Sequence, residues 1–282
     1  MHPFELRGWL FDLDGVLTDT ARVHVEAWKT TFDELLGRLA ISEEQARPFD
    51  PVEDYLLYVD GKPRADGVRD FLASRGVVLA EGARDDPPDR QTVQGVGNAK
   101  NALFLRLLSE EGVEAFPGSV RFVRALVAAG RCTGVVSASE NCRAILEAAR
   151  LSGQFWVVVD GLVALEHHLQ GKPAPDTYQY GAELLHLPPS ELAVVEDAPA
   201  GVAAGRAGGF GYVVGVARRA TPGELLAAGA DVVVADLEEF DELMQLLLSW
   251  LAGRRGPRAV RVTRRAWGVR AVTARAYGRG SG

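Results

Sequence analysis

Residues 8–29 read GWLFDLDGVLTDTARVHVEAWK, and the placing of the two aspartates within it, Asp12 and Asp14, decides the fold. The run before Asp12 is apolar and rich in strand formers, which predicts a short buried strand ending there. Gly15 permits a tight turn, and an apolar-periodic helix begins near Thr20. Two carboxylates at the carboxyl end of a strand lie where a parallel α/β sheet opens its ligand crevice. Burying them side by side requires a cation to offset their repulsion. One carboxylate can then serve as a nucleophile and the other as a proton carrier. A bare DxD, read alone, is more often a solvated strand-to-helix loop with Asp as a helix cap.

Outward from this stretch the pattern changes twice. From residue 116 onward, strand patterns at 132–137, 156–159, 192–197, 212–216 and 231–234 alternate with helical ones such as 141–151, 176–187 and 200–207. That alternation predicts a parallel sheet with helices on both faces. Between residues 20 and 115 helical patterns dominate (23–39, 67–74, 100–111), and residues 80–89, rich in Gly, Asp and Pro, read as a surface loop. The expected organisation is an α/β core from residues 1–19 and 116–252, with a helical cap of residues 20–115 inserted after the first strand. Two short hinges would let that cap move over the strand ends.

The apolar fraction of 47% supports a sizeable core, and no apolar run approaches membrane-spanning length. Cys132 and Cys142 make no metal or redox motif and fit reduced thiols, and the first residues lack a signal-peptide pattern, so a cytoplasmic location is expected. Residues 253–282 hold nine arginines and no acid, and are expected to be a disordered end or a linker. The first 252 residues keep 22 of the 31 basic residues against all 38 acidic ones, a net charge of −16. Such an acidic body argues against a nucleic-acid surface, and no membrane partner is expected. A monomer is the favoured state.

Phosphoryl transfer needs a nucleophile, neutralisation of phosphoryl oxygens, a metal and proton handling. The chain offers a candidate for each at a predicted strand end. Asp12 is the candidate nucleophile, and Asp14 the general acid and base, its carbonyl also facing a metal. Ser137 ends CTGVVS and precedes Ala138, Ser139, Glu140 and Asn141, where a hydroxyl and backbone N–H groups at a helix start suit phosphate. An ordinary Ser/Asn cap is the plainer reading of that stretch alone. Lys172 lies in GKPAPD, where two prolines stiffen the loop, Asp176 can cap the next helix, and a fixed ammonium would bridge nucleophile and phosphoryl group. Taken singly it reads as a solvated lysine. Glu196 and Asp197 end LAVVED, and adjacent acids there suit Mg²⁺, although they equally suit a helix N-cap. Four such elements in this order, each after its own strand, make coincidence a poor explanation.

The set resembles the haloacid dehalogenase superfamily over about residues 8–235. DGVLTDTARVHVEAWK, VVSASEN, GKPAPDTY and VVEDAPAGVAAGRAGGF have the form of its β-phosphoglucomutase family. The resemblance implies a Rossmann-like core with an inserted helical cap, a phosphorylated Asp12, and Mg²⁺ at Asp12, Asp14, Glu196 and Asp197. It further implies that Thr20 and His24 couple cap closure to placing Asp14, and that Arg64 grips the substrate's distal phosphate. Lys100 and Asn101 match a cap pair near the sugar, and Asn141 a core residue contacting the distal phosphate or sugar. Thr20 also reads simply as a helix N-cap, and His24 as a first-turn residue. Two departures remove positive charge near the sugar phosphate. Asp60 stands where the family has a lysine, with Lys62 nearby, and Glu140 replaces another.

The expected function is a phosphomutase interconverting β-D-glucose 1-phosphate and glucose 6-phosphate, with a small sugar phosphate as its partner. A sugar-phosphate phosphatase shares the first half-reaction, so the four core elements do not separate the two. A catalytically silent module serving a fused enzyme is the third expectation. The GVGNAK run at 95–100 is a poor dinucleotide fingerprint, because no strand precedes it.

Overall fold

The predicted alternation of strands and helices is present. The computed structural model describes residues 6–39, 42–60, 62–240 and 272–273. In chain order it contains β1 (Gly8–Phe11), α1 (Ala21–Arg38), α2 (Arg64–Ser74), α3 (Val93–Glu111), α4 (Pro117–Ala128), β2 (Cys132–Val136), α5 (Cys142–Ala148), β3 (Val157–Val159), α6 (Gly161–Glu166), α7 (Asp176–Leu184), β4 (Leu192–Glu196), α8 (Pro199–Ala207), β5 (Tyr212–Val216), α9 (Pro222–Ala227), β6 (Val232–Val234) and β7 (Val272–Thr273).

The sheet order is β3-β2-β1-β4-β5-β6-β7, parallel from β3 to β6 and antiparallel at β6–β7. The central strands are Val- and Leu-rich and buried on both faces, as a helix-covered sheet requires. Alternation along β1 feeds both layers. Trp9 and Phe11 meet Phe122 of α4 edge-on, at centroid distances of 5.1 and 6.2 Å, while Leu10 joins the opposite cluster with Tyr178, Ala182 and Val194.

From β1 the chain steps through β2 to β3 on one side, then returns to β4 on the other side of β1. Loops therefore diverge between β1 and β4, which is where such sheets bind ligands. Phe11 is in register with both Val135 of β2 and Val195 of β4, so Asp12 emerges level with the ends of its two neighbours.

The chain divides into two compact units, one holding the sheet and the other spanning Thr20–Val113. In the sheet-bearing unit the segments flanking the second unit pair with one another. Asp19 N–H donates to the Glu114 carbonyl (2.9 Å), Phe116 N–H to that of Leu17 (3.0 Å), and Thr18 bridges Ala115.

The second unit packs α1, α2 and α3 around Trp28, Phe32, Phe49 and Phe71. The stripe Val23, Ala27, Trp28, Thr31, Phe32, Leu35 and Leu36 gives α1 one buried face. Phe32 lies 4.0 Å from Phe71 and 5.5 Å from Phe49 between ring centroids. Two features of this unit lie outside the helical patterns named above. Residues Tyr55–Val59 form a single π-helical turn, closed by Asp60 N–H on the Tyr55 carbonyl. α3 starts at Val93, not at residue 100, because Thr92 caps it by accepting from Gly95 N–H (3.0 Å). Glycines lower helix propensity by about 1 kcal/mol each, which hides this start in the sequence. Gly95 is there because a Cβ would strike the Arg90 carbonyl.

The Arg-rich stretch 253–282 lies outside the described residues except for Val272 and Thr273, which form β7. Among the described residues no helix is long and apolar enough to cross a membrane.

Candidate active site

Asp12 follows β1 directly, its N–H held by the Val195 carbonyl (3.0 Å). The chain turns at once through Gly15, whose φ of 85° is in the left-handed region and whose N–H donates to the Thr18 carbonyl. A Cβ at Gly15 would overlap the Asp197 carboxylate, so the glycine serves both turn and site. Gly201 on α8 gives Glu196 the same room. One carboxylate oxygen each from Asp12, Glu196 and Asp197 lie within 4.8 Å of one another. The Asp14 carboxylate is not part of this group; the residue is half-buried beside it.

Lys172 reaches into the acids. Its Nζ donates to Asp12 Oδ1, stands 2.6 Å from Glu196 Oε1 and lies 3.4 Å from the Val136 carbonyl. The side chain is only 16% exposed, which rules out the solvated-lysine reading. Asp176 does not cap the following helix. It is the first residue of α7 and accepts instead from Gln170 N–H (3.1 Å), tying down the loop that carries Lys172. Glu196 and Asp197 are not the N-cap of α8, a position taken by Ala198. Glu196 Oε2 nevertheless accepts from the N–H groups of Asp197 (3.1 Å) and Ala198 (3.2 Å).

Ser137 leaves β2 buried, with its N–H on the Val159 carbonyl. Its hydroxyl accepts from Ser139 N–H (3.1 Å), and the Ser139 hydroxyl in turn accepts from Asn141 N–H (3.1 Å). The Ser139 carbonyl accepts from Gly161 N–H, which braces the loop against the β3–α6 connection. α5 begins only at Cys142, and Asn141 makes no side-chain cap bond to it. The plain Ser/Asn cap therefore does not form. Ala138 is exposed at the loop's tip.

Charge is out of balance here. Burial pushes the Asp12 carboxyl well above its ordinary range; Lys172 pulls it down, and Glu196, Asp197 and Asp14 push it up again. Asp197 is raised to about 7, by burial and then by Glu196, against the pull of Arg219 and Lys172. Burial works to lower the Lys172 ammonium, but the charges of Asp12 and Glu196 outweigh it and hold the lysine protonated. Three carboxyls thus share a buried site with one ammonium, and Asp14 adds its charge beside them. A hard divalent cation fits this donor set, because it would favour the ionised form of each acid. Sequence reasoning missed Arg219, which lies in an unremarkable loop after β5.

In the second unit, Thr20 is buried immediately before α1 and its hydroxyl makes no cap bond. Lys100 is buried at 4% exposure, with Nζ 2.7 Å from His24 Nδ1, 5.1 Å from the Trp28 ring and 4.6 Å from the Phe104 ring. With the lysine charged, His24 accepts at Nδ1 and carries its proton on Nε2. Its ring stacks on Phe104 at 4.2 Å. Arg64 opens α2 half-buried, its stem lying where Gly97 has no side chain. Lys62 donates to Asp70 (2.5 Å) and to the Leu57 carbonyl (3.1 Å).

A profile of the haloacid dehalogenase-like hydrolases matches residues 6–209. The chain belongs to that family, in its β-phosphoglucomutase branch. It is 49% identical over 241 residues to a β-phosphoglucomutase of Mycobacterium tuberculosis, spanning 84% of this chain and 92% of the relative. It is 30% identical to hexitol phosphatase A of Escherichia coli, over 77% of this chain and 86% of that one. The crystal structure of a β-phosphoglucomutase from Clostridium difficile superposes with a TM-score of 0.63 at 22% identity, covering 88% of this chain and all of that one. The sheet order and strand-end loops described above are therefore those of a haloacid dehalogenase-like enzyme. Within that frame, Tyr178 is the contributor with the weakest sequence signal. It sits on an apolar helix face, yet its hydroxyl donates to Glu196 Oε1 (2.8 Å).

Proposed function

We propose that the enzyme is a phosphohexomutase that interconverts β-D-glucose 1-phosphate and glucose 6-phosphate through a phosphorylated Asp12 and a sugar bisphosphate. The single observation that carries the chemistry is the Lys172 ammonium seated on Asp12 at the mouth of β1, beside Glu196 and Asp197. Lys172 favours the ionised Asp12 carboxylate against the burial and neighbouring acids that raise it, and the ionised carboxylate attacks phosphorus, forming an acyl phosphate as the sugar oxygen leaves. Asp14 protonates that oxygen and later takes the proton from the incoming hydroxyl. The Ser137 hydroxyl and the N–H groups around Ala138 hold the transferring phosphoryl oxygens. Asp12, Asp197, Glu196 and the Asp14 carbonyl would hold Mg²⁺, which when bound neutralises charge on the phosphoryl group. Arg64, Lys100 and Asn141 read the second phosphate and the sugar, and Thr20 and His24 link closure of the helical unit to placing Asp14. Closure keeps water from the acyl phosphate. We take the enzyme to act as a cytoplasmic monomer.

The mutase reading draws on the relative at 49% identity, whose name is β-phosphoglucomutase. A phosphatase is the second reading, favoured by the hexitol phosphatase relative and by Asp60 and Glu140, which remove positive charge where a distal phosphate would sit. Both readings use the same acids and lysine, so a silent module is disfavoured.

Phosphorus NMR with Mg²⁺, β-glucose 1-phosphate and a trace of the 1,6-bisphosphate separates them. Glucose 6-phosphate forming faster than inorganic phosphate supports the mutase; free phosphate alone supports the phosphatase. Asp12→Asn is expected to lower either activity by about 10⁴-fold or more without unfolding the protein. Turnover by that variant would refute the nucleophile assignment.

A further inference from the structure

Tyr178 is buried completely within the sheet's helix-covered core, among Leu10, Val136, Val194 and Phe210. Its ring packs edge-on against Phe210, with centroids 5.9 Å apart. Phenylalanine would meet that packing need. A buried hydroxyl, by contrast, must find an acceptor or cost about 1–3 kcal/mol, so its presence in an apolar layer calls for a reason. The acceptor is Glu196 Oε1 at 2.8 Å, itself 1% exposed.

Glu196 Oε1 takes the Tyr178 hydroxyl and the Lys172 ammonium, and Oε2 takes the N–H groups of Asp197 and Ala198. The carboxylate is thereby fixed in rotation, one edge toward the chain and the other toward the lysine. The Lys172 Nζ also lies 5.1 Å from the Tyr178 ring centroid, so the tyrosine touches both members of the pair. Asp12 receives the same ammonium.

We propose that Tyr178 is a positioning residue: its hydroxyl orients Glu196 so that the Lys172 ammonium is held on the Asp12 carboxylate. It touches no reacting atom and acts through Glu196. The inference rests on the assignment of Asp12 as the phosphoryl acceptor and goes beyond it by adding a residue that tunes its partner lysine. Without the hydroxyl, Glu196 Oε1 loses one of its two donors, and that edge of the carboxylate is held less firmly. The ammonium then spends less time where the phosphoryl group arrives, so the chemical step slows while substrate binding is spared.

The test compares wild type, Tyr178→Phe, Glu196→Gln and the double variant in hydrolysis of acetyl phosphate. It adds fluorine NMR of the complex formed with Mg²⁺ and beryllium trifluoride, a mimic of an acyl phosphate on aspartate. Tyr178→Phe is expected to lower kcat about tenfold at unchanged KM and to need about tenfold more beryllium trifluoride, at an unchanged circular dichroism spectrum. The double variant is expected to lose little more than Glu196→Gln alone, since the two residues act as one unit. Phe210→Leu, which loosens the same packing but leaves the hydroxyl, is expected to lower Tm and leave kcat in place. The proposal is overturned if Tyr178→Phe matches wild type, if the two losses multiply, or if kcat follows Tm equally in Tyr178→Phe and Phe210→Leu. A wild-type protein that forms no fluoride complex, or an Asp12→Asn variant that forms one normally, would instead sink the Asp12 reading beneath it.

Discussion

Two largely buried lysines sit in different surroundings, one in each unit. Lys172 sits between the carboxylates of Asp12 and Glu196, at the point where the sheet's strand order reverses. Lys100 rests on the faces of Trp28 and Phe104 and donates to the His24 ring. The first is fixed by opposite charges that are themselves pinned by backbone N–H groups and a phenol. The second is held by ring quadrupoles, whose attraction for a cation is softer and less directional, about 0.5–2 kcal/mol each. A lysine fixed by charge suits a task that requires one position. Aromatic faces fix a lysine less rigidly than carboxylates do, so a shift of Lys100 toward an anion would have to break chiefly its bond to His24.

Lys172→Met gives the largest expected effect. It leaves Asp12 and Glu196 buried without their ammonium, and breaking a buried pair from one side costs about 3–5 kcal/mol. Urea unfolding without Mg²⁺ should show a loss of that size, and saturating Mg²⁺ should restore part of it. Phosphoryl transfer should fall by about 10²–10³-fold, as when one fixed donor is removed from a charged transition state. A stability change below about 1 kcal/mol would mean that the ion pair adds nothing and that the contrast between the lysines is false.

Lys100→Met should be milder on both counts. Methionine fills much of the stem's volume against Trp28 and Phe104, so stability should change by no more than about 1–2 kcal/mol. The functional loss should fall on kcat/KM for a hexose phosphate, about tenfold, and far less on hydrolysis of acetyl phosphate. Equal losses on both substrates would show that Lys100 supports the chemistry rather than recognition of the larger substrate.

The same two lysines show why only part of this site was legible in the sequence. Asp12, Ser137 and Glu196–Asp197 each close an apolar strand, and strand ends of a parallel sheet converge, so local patterns placed them together. Lys172 was legible through its prolines and its place in the order of motifs. The Lys100–His24 contact joins residues 76 apart on two helices, and their proximity follows from how α1 and α3 pack, which no local period encodes. Tyr178 was hidden for a different reason: on an apolar face its ring explains its presence, and nothing in the pattern announces the hydroxyl. The early start of α3 was masked because Gly95 and Gly97, helix-weakening by propensity, are there to admit the Arg90 carbonyl and the Arg64 stem. Tertiary packing overrode the local signal at these positions.

The smallest expected effect concerns pH and sharpens the contrast further. Without metal, Asp197 titrates near 7, above its unfolded range near 4, so the folded form binds this proton more tightly. Its contribution to stability is therefore complete below about pH 4 and is lost as pH rises toward about 7. Mg²⁺ needs the ionised carboxyl, so Asp197 alone should make its apparent affinity fall by up to about tenfold for each pH unit below about 7. Titration of the thermal midpoint with Mg²⁺ at several pH values between about 5.5 and 8 reads this directly. Lys172 is one of the charges that pull Asp197 down. Its removal should move the whole affinity profile to higher pH, whereas Lys100→Met should leave the profile in place. A profile that moves equally in both variants would mean that Lys172 owes nothing special to its seat among the acids, and the distinction between the two lysines would fail at its source.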